Sequence, residues 1–286
     1  MGDNVTPLVL RRRLRTELRN ARQERELTQE QVAKAMDWSS SKMIRIEKAQ
    51  TSISINDLRA LLQLYKITGA EKTAELVGLA RAARKQSWWS SYSNVAPSKL
   101  LELIDYESAA SAVRQFEPWF VPGILQTEEY ARAVLESYFA GRPEAELTAL
   151  VELRTRRWDQ LNRENAPQFS FVLDESVIQR LVGGPAVMRR QLDRLVDVAK
   201  LRHVTMQIVP FSAGLHPGMK GPFEIIQFAD AVDEYVVYLE GPRGDIISDD
   251  LEEAQSYLKD LERIEEASLR PSDSVDRVGA AAKGMA

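Results

Sequence analysis

The chain has 286 residues, 44% of them hydrophobic and 28% charged, with a formal net charge of −4; this length allows about two domains and a sizeable buried core. It holds no cysteine and only two histidines, His203 and His216, which excludes disulfides and cysteine-ligated metals and leaves little for a histidine cluster. The opening MGDNVTPLVLRRRLR is no secretory leader and no run of about 18 apolar residues could span a membrane, so a cytoplasmic protein without membrane contact is expected.

The charge is unevenly placed. Residues 1–86 carry 17 Lys and Arg against 10 Asp and Glu, whereas the remaining 200 carry 21 against 32. Such asymmetry reads as a polyanion-facing module joined to an acidic body. The acidic total is no objection to DNA binding, because a field is local over about a Debye length.

Five helices are expected in the first 86 residues. The first runs from Leu8 to Glu24, with Leu14, Leu18 and Ala21 at helical spacing. Thr28 caps the second, and Gln31 three places on completes a capping box. After a turn at Asp37 and Trp38, Ser39 caps the third, whose apolar face is Met43 and Ile46. Ser54 and Asp57 open the fourth, which carries Leu58, Leu61, Leu62 and Tyr65. The fifth spans Ala70 to about Lys85. With Met43 and Ile46 inward, Ser40, Ser41, Lys42 and Arg45 lie outward or on the flanks. Serine hydroxyls read base edges, while Lys42 and Arg45 reach guanine O6/N7 or a phosphate. The start of the second helix, at Gln29, offers backbone N–H groups to a phosphate. This is the arrangement of a DNA-reading helix-turn-helix. The run Arg11-Arg12-Arg13 is either an arm touching DNA or a solvated helix start.

Residues 11–66, from LTQEQVAKAM through SSSKMIRIE, resemble the xenobiotic-response-element family of helix-turn-helix domains. The resemblance implies a phosphate or base contact for Gln29 and base-reading positions at Ser40, Ser41 and Arg45. It also implies a structural ion pair between Arg22 and Glu47. Where the family has a glycine after the third helix, this chain has Lys48, Ala49 and Gln50. The candidate DNA-binding set is Thr28, Gln29, Ser39, Ser40, Ser41, Lys42 and Arg45.

QSWWSSYSNVAPS, from Gln86 to Ser98, is a compositional break read as a linker over 87–98, with Trp88 or Trp89 docking on the second domain. Residues 100–139 read as helix, turn, helix, with Thr127 capping the latter. The turn is apolar: Phe116, Trp119, Phe120, Ile124 and Leu125 make it a ligand-pocket wall, a partner surface or core. Another helix is expected over 144–165. Strands follow in FSFVLDES, VTMQIVPF, GPFEIIQF and EYVVYLEG, with a helix in GPAVMRRQLDRLVDVAK after the first. The acidic turn ADAVD makes the last two strands an antiparallel hairpin. A final helix covers 249–268, and residues 271–286 are too poor in apolar side chains to pack, which reads as a flexible tail.

The segments FEPWFVPGILQTEEYARAV, VIQRLVGGPAVMRRQL, VTMQIVPFSAGLHPGMKGPFEIIQF and VVYLEG resemble the C-terminal domain of actinobacterial, antitoxin-like regulators of the WhiJ type. The resemblance implies a transcriptional repressor modulated by a small protein encoded nearby.

An enzyme is not expected. AGLHPGMKGPF is glycine-rich and holds His216, but no phosphate-binding loop, nucleophile elbow or H-E-x-x-H accompanies it. That loop reads instead as a lid or rim over a pocket or partner groove. The expected architecture is an all-α helix-turn-helix domain (1–86) and an α+β domain (99–270) with helices on a small, mainly antiparallel sheet. The expected function is a dimeric, sequence-specific DNA-binding repressor without cofactor. Its partners are double-stranded DNA, a second copy, and a small protein or ligand that delivers a signal. Trp119, Phe120, Ile124, Leu125 and His216 are the candidate partner or ligand surface. The alternative is an antitoxin-like protein that sequesters a small partner and binds DNA mainly for autoregulation.

Overall fold

The structure is a computed structural model that describes residues 6–48, 51–84, 87–229, 235–241 and 244–285. Ala49 and Gln50, Lys85 and Gln86, and most of the acidic turn at 229–233 lie outside the described residues. The chain divides into two compact units near Ser90. Among the described residues, no helix is long and apolar enough to cross a membrane.

The first unit is all helical: α1 (Pro7–Glu24), α2 (Gln29–Ala35), α3 (Ser40–Glu47), α4 (Ile55–Leu64) and α5 (Ala70–Ala82). Leu14 and Leu18 of α1, Val32 of α2, Met43 of α3 and Leu58, Leu61 and Leu62 of α4 meet in one core. Thr6, Thr28, Ser39 and Ser54 each cap a helix with a side-chain oxygen. Thr28 and Gln31 form both bonds of the capping box, at 3.2 and 2.8 Å.

Three of these helices end on a left-handed residue that is not glycine: Glu26, Asp37 and Lys66. Each closes with a paired backbone motif, in which Leu27 N–H reaches Arg22 O, Trp38 N–H reaches Ala33 O, and Ile67 N–H reaches Leu62 O. Leu27, Trp38 and Ile67 then pack against the core. That apolar contact offsets the steric cost of a side chain in left-handed geometry.

The second unit is built on a six-stranded mixed sheet of order β3-β2-β1-β4-β5-β6. Its elements in chain order are α6 (Ser98–Ala109), β1 (Ala112–Glu117), α7 (Glu128–Tyr138), α8 (Glu144–Arg156), β2 (Gln168–Asp174), α9 (Glu175–Gln179) and α10 (Pro185–Val198), followed by β3 (Val204–Val209), β4 (Phe223–Gln227), β5 (Tyr235–Leu239), β6 (Ile246–Ser248), α11 (Leu251–Ala267) and α12 (Pro271–Lys283). β1, β2 and β3 run parallel, and the β1–β4, β4–β5 and β5–β6 pairings are antiparallel. The fold class is therefore all-α followed by α+β. One face of the sheet, with Phe116, Val172, Val209, Phe223 and Ile225, packs under Leu261 and Ile264 of α11.

Several expectations are corrected. The stretch read as helix, turn, helix contains the strand β1, central in the sheet. Arg114, Gln115 and Glu117 mask its strand character, because polar residues are unusual in a buried strand. The helix expected over 144–165 stops at Arg156 and tightens into a short 3-10 turn at Arg157–Gln160. Residues 88–92 of the expected linker form another 3-10 turn. Residues 271–283 are no flexible tail but the helix α12, which buries Ser274, Val278 and Ala282. Together with Leu269 just ahead of the helix, they hold the open edge of β3: Ile208 N–H donates to Ser274 Oγ at 3.0 Å, and Leu269 N–H donates to Ile208 O at 2.8 Å. Covering an edge strand in this way satisfies backbone groups that would otherwise invite aggregation.

Candidate nucleic-acid interface

α2 and α3 are joined by the turn at Met36–Ser39, fixed by Asp37 in left-handed conformation and by the Trp38 N–H bond to Ala33. Met43, Ile46 and Glu47 of α3 are buried. Ser40, Ser41 and Arg45 are exposed, and Ile44 is 37% exposed. Ser40 and Ile44, and Ser41 and Arg45, are four residues apart, so all four lie on one helix face. Ile44 was not among the sequence candidates. Its signal was an apolar residue out of phase with Met43 and Ile46, suited to contact with a thymine methyl group.

The seven candidates do not stand alike. The hydroxyls of Thr28 and Ser39 are engaged as caps, accepting from Gln31 N and Lys42 N. Gln29 is half-buried and its Nε2 donates to Glu47 Oε2 at 2.6 Å. Lys42 Nζ donates to Asp57 Oδ2 at 3.0 Å and sits 4.1 Å from the Trp38 ring centre. Ser40, Ser41 and Arg45 remain as outward side chains without a partner among the described residues.

Behind this face lies a charge-assisted clamp. Arg22 Nε donates to Glu47 Oε1 at 2.6 Å and Nη2 to Oε2 at 3.0 Å, while Nη1 donates to Leu27 O at 2.7 Å. The hydrogen bond that Arg22 donates to Glu47 raises the Arg22 pKa above its ordinary value, outweighing the opposite effect of burial. The clamp fixes the end of α3 to α1, so the outward face is presented on a rigid element. The Arg11-Arg12-Arg13 run is part of α1 and no free arm: Arg11 Nη1 donates to Ala83 O, Arg12 is buried, and Arg13 lies 3.8 Å from Glu75.

The candidate surface in the second unit is divided by the fold. Ile124 and Leu125 are fully buried and belong to the core, because their 3-10 turn points both side chains inward. His216 is a packing residue rather than a surface one. Its side chain is 5% exposed, its ring meets Phe116 edge-on at 5.7 Å, and Nε2 lies 3.6 Å from Asp174 Oδ2. A close approach explains the glycine that follows: a Cβ on Gly218 would lie 2.3 Å from the Phe116 ring. Trp119 and Phe120 line a cavity of about 520 Å³, together with the charged side chains of Glu117, Arg154, Arg157, Glu224 and Glu240. Sequence reasoning missed those five, since they come together only through the sheet.

Residues 13–76 match the helix-turn-helix domain family, and residues 100–279 match a domain of unknown function (DUF5753). No curated protein and no solved structure matches the chain. The first match covers α2, α3 and the clamp between Arg22 and Glu47, and supports a DNA-binding regulator. The second covers more than half of the chain, which therefore belongs to the DUF5753 domain family and carries a helix-turn-helix domain ahead of it.

Proposed function

We propose that this protein is a sequence-specific transcriptional repressor that reads DNA with the outward face of α3. The observation that carries this reading is the row of Ser40, Ser41 and Arg45, without partners among the described residues and with Ile44 beside them, on a helix anchored from behind by Glu47. Arg45 suits a bidentate contact to guanine, the serines suit base edges, and Ile44 suits a thymine methyl. Gln29 and Lys42 join them at phosphates once their internal partners are exchanged. One module of this size buries about 600–1,000 Å² on DNA, less than most specific complexes use. The protein therefore acts as a dimer on two half-sites about one helical turn apart. The C-terminal unit, 99–285, supplies the dimer contact and receives the signal. Footprinting on DNA from the protein's own promoter region tests this. Two protected half-sites with a spacing near one turn are expected, and a single short footprint contradicts the dimer.

One observation favours the antitoxin-like reading as a second role. Phe211, Leu215 and Met219, in the segment after β3, are 61%, 91% and 64% exposed. Three large apolar side chains this open suit a small protein partner. Loss of a co-purified partner on Leu215→Asp, with DNA binding intact, supports that role.

A further inference from the structure

Alternation along a strand sends every second side chain to one face. Gln115 and Glu117 of β1, Glu224 of β4 and Tyr238 of β5 therefore share the sheet face opposite α11. The register places Gln115 beside Glu224 and Glu224 beside Tyr238. A polar row stands where a buried sheet normally presents aliphatic residues, and it forms the floor of the 520 Å³ cavity.

The partners of this floor are nearly all accounted for. Both oxygens of the buried Glu107 are taken by Arg157, with Nε donating to Oε2 at 3.0 Å. Gln115 Nε2 donates to Glu117 Oε1 at 2.9 Å, and Arg154 Nη1 donates to Gln126 Oε1 at 3.1 Å. Glu224 is only 1% exposed, yet among the described residues no N–H donates to either of its carboxyl oxygens or to Gln115 Oε1; the side chain it meets is the Glu107 carboxyl, which it can bond only while carrying a proton. All three unanswered atoms are acceptors. Once ionised, Glu224 would be an unanswered buried carboxylate, which is costly, so a group that completes the site around the ionised form is a donor, and a positively charged one.

The walls specify the rest of the ligand. Leu103, Val134, Leu135 and Leu150 make the sides apolar. Trp119 and Tyr138 stand at the mouth, 45% and 59% exposed, with the Phe120 ring 5.8 Å from Tyr138. Aromatic faces attract cations, and the volume lies in the usual range for small-molecule sites.

We propose that this cavity binds a small organic cation, its ammonium or guanidinium head bonded to Glu224 and Gln115 and its apolar body between α7 and α8. Burial first, and then the neighbouring Glu107, raises the Glu224 carboxyl well above its ordinary range. Burial and Glu240 do the same to Glu117. The charged groups acting on Glu224 are Glu107, Glu117 and Arg157, with Tyr238 across the strand pair. A cation entering beside Glu224 favours its ionised form, and so releases a proton wherever that carboxyl still carries one. Binding therefore strengthens with rising pH until the ligand itself deprotonates.

The site deepens the signal-receiving role proposed above and rests on it only for an effect at DNA. The test is isothermal titration of the full chain with 2-phenylethylamine and agmatine, and with the neutral 2-phenylethanol as control. At least one amine is expected to bind saturably, at least ten-fold tighter than the alcohol, with proton release seen as buffer-dependent heat. Glu224→Gln, which keeps the shape, is expected to lose ten-fold or more in affinity while melting no lower than the wild type. Trp119→Ala, at an exposed position, is expected to lose several-fold. No saturable heat from either amine at millimolar concentration overturns the proposal, as does equal binding of the alcohol or full affinity in Glu224→Gln. Amine binding that leaves DNA affinity unchanged supports the cavity site and contradicts its regulatory role.

Discussion

Lys42, on the helix offered to DNA, is held by Asp57 of the next helix at 3.0 Å and by the Trp38 ring at 4.1 Å. Its ammonium must leave an acidic partner before it reaches a phosphate. Exposed pairs of this kind are worth about 0–1 kcal/mol, so the restraint is mild. Asp57→Asn is expected to tighten DNA binding by up to about five-fold and to steepen its salt dependence, as a further cation becomes free. Fluorescence anisotropy at two salt concentrations checks this, and unchanged affinity would mean that Lys42 does not touch DNA.

The Glu47 carboxylate answers two donors, Arg22 and Gln29. Glu47→Ala strands the Arg22 guanidinium in a largely buried position and is expected to cost about 3–5 kcal/mol of stability. Gln29→Ala removes one bond to a charged acceptor and should cost about 1.5–3 kcal/mol at most. Urea denaturation separates the two. Wild-type stability of Glu47→Ala would show that the clamp does not hold α3.

Glu224 makes stability depend on pH. A carboxyl whose folded-state pKa lies above its unfolded value stabilises fully below the unfolded value, near 4.5, and loses that contribution as pH rises through the folded value. Glu224→Gln removes this loss. The variant is expected to match the wild type near pH 4.5 and to exceed it by about 1–3 kcal/mol at pH 8, the usual cost of an unsatisfied buried polar group. Thermal melts across that range would expose the opposite trend if Glu224 were stably ionised.

The C-terminal helix tests the sheet edge. Ser274→Ala leaves the Ile208 N–H unanswered in a buried place and is expected to destabilise by about 1–3 kcal/mol. Removal of residues 271–286 also exposes the contacts of Val278 and Ala282 and should lower the melting temperature further. A truncated protein that melts with the full chain would return this segment to the status of a tail.

Much of the first unit was legible because its signals are local. Thr28 with Gln31, Ser39, and Ser54 with Asp57 mark helix starts within four residues, and Met43 with Ile46 orient α3. What a local pattern did not reveal was competition for the same side chains, such as Asp57 for Lys42 and Glu47 for Gln29. In the second unit the strands rich in Val and Ile were readable, whereas β1 was not. Its Gln115 and Glu117 face a cavity rather than a core, so they break the apolar run expected of a central strand. β6, only three residues long, offered too short a pattern. The tail was misread through composition, although Ser274, Val278 and Ala282 stand at spacings of four on one face. The acidic floor of the cavity comes from segments more than 100 residues apart, and only strand register brings it together.

The central claim is that the outward face of α3 reads DNA, and Arg45 is the exposed cation on that face. The direct measurement is fluorescence anisotropy of the wild type and Arg45→Ala against DNA from the protein's own promoter region and scrambled DNA, over several salt concentrations. The wild type is expected to prefer the promoter DNA, with a salt slope showing several released counterions. Arg45→Ala should lose about 1–3 kcal/mol on that DNA and far less on the scrambled one, with the same melting temperature. Equal binding of both DNAs by the wild type, or an Arg45→Ala variant indistinguishable from it, would contradict the account.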